Sequence, residues 1–195
     1  MRFVIMADGK GSRWNNYMGI PKHLIEIDGE SLLARTVRLL HEMKKTDIEV
    51  IITSHDERYE FEGATRYEPL NNTIELGRFT EELVQDDMCF LYGDTYYTEE
   101  SIDIIMNTDV KELLFFGTKK GIVAVRIKDS EVFKKHYNRV KNDFISGKIA
   151  DCKGWQVYQS YVGQDLKNKA EIADDFIKLD GKTLDINTPE EYKTI

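Results

Sequence analysis

Arg2-Phe3-Val4-Ile5-Met6-Ala7-Asp8-Gly9-Lys10-Gly11-Ser12-Arg13-Trp14 starts as an apolar run and ends in a polar loop with two glycines. A short continuous apolar run predicts a strand buried on both faces, as in the centre of a parallel sheet. The loop beyond the carboxyl end of such a strand is where α/β proteins bind ligands. Gly9 and Gly11 permit a tight turn whose N–H groups converge on an anion. Lys10 and Arg13 add positive charge, and a guanidinium holds phosphate oxygens two at a time. Two familiar phosphate loops are excluded. The dinucleotide fingerprint needs a third glycine where Trp14 stands, and the P-loop needs Gly-Lys-Ser/Thr preceded by a glycine and a four-residue gap, a full string that the chain lacks. By itself the loop reads equally as a glycine turn with solvated charges.

Outward from this strand the chain alternates strand and helix. Residues 24–27 form a short strand or an extended piece, closed by the turn Asp28-Gly29. A helix follows over 31–45, with Leu33, Val37 and Leu40 on one face. Strands are expected over 49–53 and 65–67, a helix over 73–84, and an all-apolar strand over 88–92. A helix over 99–106 precedes strands over 113–116 and 122–127, the second near an edge. Residues 130–144 are helical, 155–163 fit neither period, and 176–179 form a strand before the turn Asp180-Gly181. Thr188 begins a last short helix. There is no repeat, low-complexity stretch or linker, so residues 1–195 read as one domain. The alternation predicts an α/β fold with a mainly parallel, mixed sheet covered on both faces.

Composition narrows the function classes. A formal net charge of −8 argues against a protein built to grip nucleic acid, whose partners demand a basic face. It leaves room for small phosphates held by a few local cations. The two cysteines, Cys89 and Cys152, have no CxxC partner and no nearby histidine at ligand spacing, which argues against zinc. The N-terminal apolar run is too short for a signal peptide, and no stretch approaches a membrane span. The expectation is a cytoplasmic protein; the oligomeric state is not legible.

Three further strings carry chemistry. In Gly19-Ile20-Pro21-Lys22-His23-Leu24, Pro21 fixes the backbone ahead of Lys22, which lies close enough in sequence to reach the same phosphates as the glycine loop. Read alone, Lys22 is an ordinary surface lysine. Phe90-Leu91-Tyr92-Gly93-Asp94 presents a carboxylate at the end of an apolar strand, so Asp94 is a candidate magnesium ligand; the plain alternative is a Gly-Asp turn. In Leu184-Asp185-Ile186-Asn187-Thr188-Pro189-Glu190-Glu191, Thr188, Pro189 and Glu191 make a helix start. Asp185 is left over as a second candidate ligand.

In this order the strings resemble the nucleotidyltransferase family of sugar-phosphate and phosphocholine nucleotidylyltransferases, across nearly the whole chain from Phe3 to Tyr192. The resemblance implies a Rossmann-like three-layer α/β/α fold. It implies that an NTP is bound by Ala7, Gly9, Lys10, Gly11, Ser12 and Arg13, and that Arg13 and Lys22 act on its phosphates near the reacting centre. It implies that Asp94 and Asp185 hold Mg2+. The segment Leu70-Asn71-Asn72-Thr73-Ile74 lies where such enzymes contact the nucleobase, so Asn72 joins the binding set, and its Asn-rich form looks like the phosphocholine-type branch. One departure is Asp8, which stands where the family mostly has a small uncharged residue and which should repel a triphosphate unless it points away or helps bind metal.

The reaction that the resemblance implies joins the NMP part of the NTP to a small phosphorylated acceptor and releases pyrophosphate. A phosphomonoester is largely dianionic near neutral pH, so no general base is needed, and His23 reads as structural or surface. Two rival readings stay open. A GT-A-like glycosyltransferase also pairs a nucleotide with a metal, but usually shows two aspartates around one residue where Gly93-Asp94-Thr95 has one. A nucleotide-binding domain without turnover is the other. The aromatic stretch Trp155 to Tyr161 reads as core ahead of an acceptor pocket.

Overall fold

The computed structural model describes residues 1–44, 46–170, 176–179 and 181–195. Its backbone is one seven-stranded sheet. In chain order the elements are β1 (Arg2–Met6), a small hairpin of β2 (Glu26–Ile27) and β3 (Glu30–Ser31), α1 (Leu32–Met43), β4 (Glu49–Thr53) and β5 (Thr65–Tyr67). Then come β6 (Met88–Tyr92), β7 (Thr95–Tyr96), α2 (Glu99–Asn107), β8 (Leu113–Gly117), β9 (Ile122–Ile127), α3 (Ser130–Ile145) and α4 (Gly154–Tyr161). The chain closes with β10 (Phe176–Lys178), β11 (Leu184–Asp185) and α5 (Pro189–Tyr192). The sheet order is β10-β8-β9-β6-β1-β4-β5, and β9 alone among the described strands of this sheet runs against its neighbours.

Successive side chains of a strand point to opposite faces, and β1 divides its residues accordingly. Phe3 and Ile5 pack with Leu33, Val37 and Leu40 of α1 and Ile102 and Ile105 of α2. Val4 and Met6 face the other core, with Phe133, Tyr137 and Val140 of α3 and Val157 and Tyr158 of α4. Helices therefore cover both faces of the sheet, the three-layer α/β/α arrangement expected from the alternating pattern. The helix starts are local: Ser31 accepts from Ala34 N at 3.2 Å, Thr98 from Ser101 N at 3.1 Å, and Asp129 from Glu131 N at 3.0 Å.

Several expectations are corrected. The helix expected over 73–84 is two 3-10 turns, Glu75–Phe79 and Glu81–Leu83, joined at Thr80 with φ 15° and ψ 79°. Leu76, Phe79 and Leu83 are buried at helix-like spacing, which is what the periodicity detected. Gly77 sits so close to Asn71 O that a Cβ there would lie 2.9 Å from it, so this segment is shaped by packing and not by helix propensity. The strand β9 lies inside the sheet between β6 and β8, not near an edge. Its one charged residue, Arg126, is accommodated because Nη1 donates to Ile105 O at 2.6 Å and Met106 O at 3.0 Å, satisfying carbonyls at the end of α2. The ambiguous 155–163 segment is α4, and Tyr158 packs edge-on against Phe115 and Phe176, as core. The first helix stops at Met43, with Lys45 outside the described residues, as is Asp180 of the expected turn. No helix among the described residues is long and apolar enough to cross a membrane.

Candidate active site

Strands β1 and β6 are parallel neighbours, so their carboxyl ends come out side by side. Gly93 N donates to Met6 O at 3.0 Å, and a Cβ on Gly93 would lie 2.9 Å from the same oxygen. A residue without a side chain is what lets the chain pass this close and set Asp94 beside the loop that follows β1. The two-stranded ribbon of β7 and β11 then places Asp185 opposite Thr95, and Ile186 N donates to Asp94 O at 2.7 Å. Residues 91 positions apart in sequence, Asp94 and Asp185, thus meet at one edge of the sheet.

The glycine loop is anchored by a single large side chain. Gly11, at φ 58°, accepts from Trp14 N at 2.9 Å, and Trp14 is buried among Ile25, Ile27, Leu32 and Ile186. Its indole N–H donates to Ile20 O at 2.8 Å. Holding Trp14 fixes its neighbour Arg13, whose Nη2 donates to Asn187 Oδ1 at 2.7 Å. Lys10 is exposed and makes no hydrogen bond or ion pair among the described residues. Pro21 leads into a 3-10 turn at Lys22–Leu24, which turns Lys22 inward. Its ammonium donates to Asp94 Oδ2 and, at 3.3 Å, to Asn187 Oδ1. Asn187 Nδ2 in turn donates to Asp185 Oδ2 at 2.6 Å. Arg13, Lys22, Asp94 and Asp185 are brought together, and Asn187 joins them.

The charges respond to this burial. Burial pushes the Asp94 carboxyl up, but the charge and hydrogen bond of Lys22, together with His23 and Arg78, hold it below the usual carboxylate range. Asp185 goes the other way, raised by burial first and by the charge of Asp94 second. Its Oδ1 is buried with no hydrogen-bond partner among the described residues. Burial lowers His23 to about 4, so its ring is neutral at pH 7; Nδ1 lies 2.9 Å from the Tyr59 hydroxyl. That is the structural role expected of His23.

Beside this cluster lies a cleft of about 320 Å³, walled on one side by Gly9 to Arg13 and on the other by Asn72 to Glu75 and Arg78. Asn72 reaches it, but its Nδ2 is occupied, donating to both the backbone O and Oδ2 of Asp8 at 2.7 Å. Asp8 also accepts from His55 N at 3.1 Å and lies 3.0 Å from His55 Nδ1. The carboxylate of Asp8 is therefore tied to the neighbouring loops through His55 and Asn72, although Asp8 still lines the cleft. Ala7 is buried at the foot of the loop, and Ser12 is exposed.

Two residues of the site were not singled out from sequence. Asn187 had a signal, since it lies two residues beyond Asp185 and extended chain points such residues the same way. Arg78 had none. It sits in the segment read as helix, where its Nη2 meets Glu75 Oε1 at 2.5 Å and its guanidinium lies 6.0 Å from the Tyr92 ring centre.

No protein-family model matches the chain, and no curated protein does. Solved structures do match. The CTP:phosphocholine cytidylyltransferase of Streptococcus pneumoniae superposes with a TM-score of 0.59 at 15% identity, over 99% of this chain and 96% of that one. The inositol-1-phosphate CTP transferase of T. maritima gives 0.60 at 16% identity, over 97% and 90% of the two chains. A putative glucose-1-phosphate thymidylyltransferase of Bacillus anthracis gives 0.63 at 15% identity, over 100% and 93%. The chain thus has, from end to end, the α/β fold of these nucleotidylyltransferases.

Proposed function

We propose that the protein is a divalent-metal-dependent nucleotidyltransferase that moves the NMP group of an NTP onto a small phosphorylated acceptor. The observation that carries this reading is the meeting of Arg13, Lys22, Asp94 and Asp185 beside the glycine loop and its cleft. The names of the fold neighbours, which pair an NTP with phosphocholine, inositol-1-phosphate or glucose-1-phosphate, support it.

The donor set suits Mg2+. That ion takes hard oxygen ligands, usually one or two carboxylates, and fills the rest of its shell with water and phosphate. Asp94 and Asp185 supply two carboxylates, and the buried Asp185 Oδ1, without a hydrogen-bond partner, is an oxygen that a cation would satisfy. Among the described residues no group of three or more His, Cys, Asp or Glu is placed to hold a metal ion, so the rest of the ion's shell would have to come from substrate and water. When bound, the ion neutralises phosphate charge as a Lewis acid.

In the reaction an acceptor phosphate oxygen forms a bond to the α-phosphorus of the NTP. The bond from that phosphorus to the bridging oxygen breaks, and its electron pair leaves on pyrophosphate. The attacking oxygen already carries its lone pair as an anion, so no proton has to be removed. The chain's task is positioning and charge stabilisation. Arg13 and Lys22 bind the phosphates, the backbone of Gly9 to Ser12 receives the chain of the triphosphate, and the neutral His23 packs behind Lys22.

The test is pyrophosphate release with Mg2+, with ATP, CTP, GTP and UTP crossed against sugar phosphates, polyol phosphates and phosphocholine. Release that needs one NTP and one acceptor is expected. NTP binding with no turnover on any acceptor would replace this reading with a binding-only domain.

A further inference from the structure

Asn187 stands where the charges of both signs meet. Its Oδ1 accepts from Arg13 at 2.7 Å and from Lys22 at 3.3 Å, while its Nδ2 donates to Asp185 Oδ2 at 2.6 Å. These partners fix which way the amide faces, since cations need its oxygen and a carboxylate needs its NH2. Its backbone N–H donates separately to Glu191 Oε2 at 2.7 Å, so the start of α5 does not depend on the side chain. Among the described residues, Asn187 is the sole hydrogen-bond partner of Arg13.

We infer that Asn187 is a positioning residue for the triphosphate, holding Arg13 at the cleft through one N–H and leaving its other donors to the phosphate. This rests on the nucleotide-binding reading above. The reason for an amide is energetic. A guanidinium bonds a charged oxygen more strongly than a neutral one. The neutral Asn187 carbonyl therefore orients Arg13 without neutralising the charge that the phosphate meets. An aspartate at the same place would hold Arg13 and Lys22 as ion pairs that the ligand must break. It would also set a third carboxylate beside Asp94 and Asp185 and lose the donor to Asp185. Through Nδ2 the same amide occupies Oδ2 of Asp185 and leaves Oδ1 without a partner. One side chain thus orients both a phosphate cation and a metal carboxylate.

The experiment measures binding of inorganic tripolyphosphate, with Mg2+, by calorimetry, because this probe needs no knowledge of the base. The proteins are the wild type, Asn187→Ala, Arg13→Ala, the double variant and Asn187→Asp, each with its melting temperature. Asn187→Ala is expected to weaken binding on the order of tenfold, as for a lost hydrogen bond to a charged group. In the Arg13→Ala background the same change is expected to cost little, because a residue acting through Arg13 has nothing left to position. Asn187→Asp, nearly the same shape, is expected to weaken binding further at an unchanged melting temperature, and it stands in for alanine should that variant not fold. Wild-type affinity in the single variants, or losses that add fully in the double variant, would overturn the inference. A wild type that binds neither tripolyphosphate nor any NTP would instead sink the proposed function itself.

Discussion

Lys22 and Asp94 are 8% and 7% exposed, and charges so far removed from water persist only as a pair. Lys22→Met leaves the Asp94 carboxylate without its cation, and the metal-free protein is expected to lose about 3–5 kcal/mol in denaturant unfolding. Asp94→Asn keeps an oxygen for Lys22, so the fold should survive. Pyrophosphate release at saturating substrate is then expected to fall on the order of 10²-fold or more. Near-full turnover in that variant would remove Asp94 from the chemistry. His23 gives a pH signature. Its folded value is about 4 against 6.5 unfolded, because burial penalises the charged ring. A depressed folded value means the contribution is fully present above pH 6.5 and is lost as the pH falls toward 4. The full gap corresponds to about 3 kcal/mol. Unfolding at pH 7.5 and pH 5, compared with His23→Asn, should show the slope flattened in the variant; equal slopes would mean that another group titrates there.

At the scale of elements, the phosphate loop gains its order from a small satellite core. Trp14 packs with Ile25, Ile27, Leu32 and Ile186 and meets the rings of Tyr17 and Tyr192 edge-on. The loop therefore rests on the β2–β3 hairpin and on the C-terminal segment that also carries Asp185 and Asn187. Trp14→Ala is expected to cost about 3–5 kcal/mol, the range for a buried aromatic. It should also weaken NTP binding, because Arg13 loses its footing. A stability loss with unchanged NTP affinity, read by calorimetry, would show that the loop orders itself without this anchor.

For the whole molecule, the expectation concerns the assembled charge. Burial first, and the repulsion of a second carboxylate held at the same sheet edge, raise Asp185. A divalent cation with NTP should relieve this and stabilise the folded state by mass action. At a hundredfold excess over Kd that is about 2.7 kcal/mol, or about 5–10 °C in Tm for a chain of this size. Chelation should reverse the shift and abolish pyrophosphate release. An Asp185→Asn protein that still shows the full metal-dependent shift would place the ion elsewhere.

The sequence alone determined the layers and most of the site's components. The unbroken apolar runs at Arg2–Met6 and Met88–Tyr92 demanded burial on both faces, and strong helix caps at Ser31 and Thr188 are local chemistry readable in a few residues. Gly9, Arg13, Lys22, Asp94 and Asp185 stood out because each follows a strand end, a glycine or a proline. Tertiary structure decided what contacts between distant segments decide. The strand over 122–127 was expected near an edge until the sheet enclosed it and α2 offered its carbonyls to Arg126, and residues 73–84 looked helical where the structure has 3-10 turns packed against Asn71. That His55 and Asn72 would take the oxygens of Asp8 was likewise set by distant segments. Asn187 gained its place only when the β7–β11 ribbon brought the last dozen residues back to the loop after β1. Periodicity and capping act over a few residues and are written locally, whereas the partner of a buried charge is set by the folded chain.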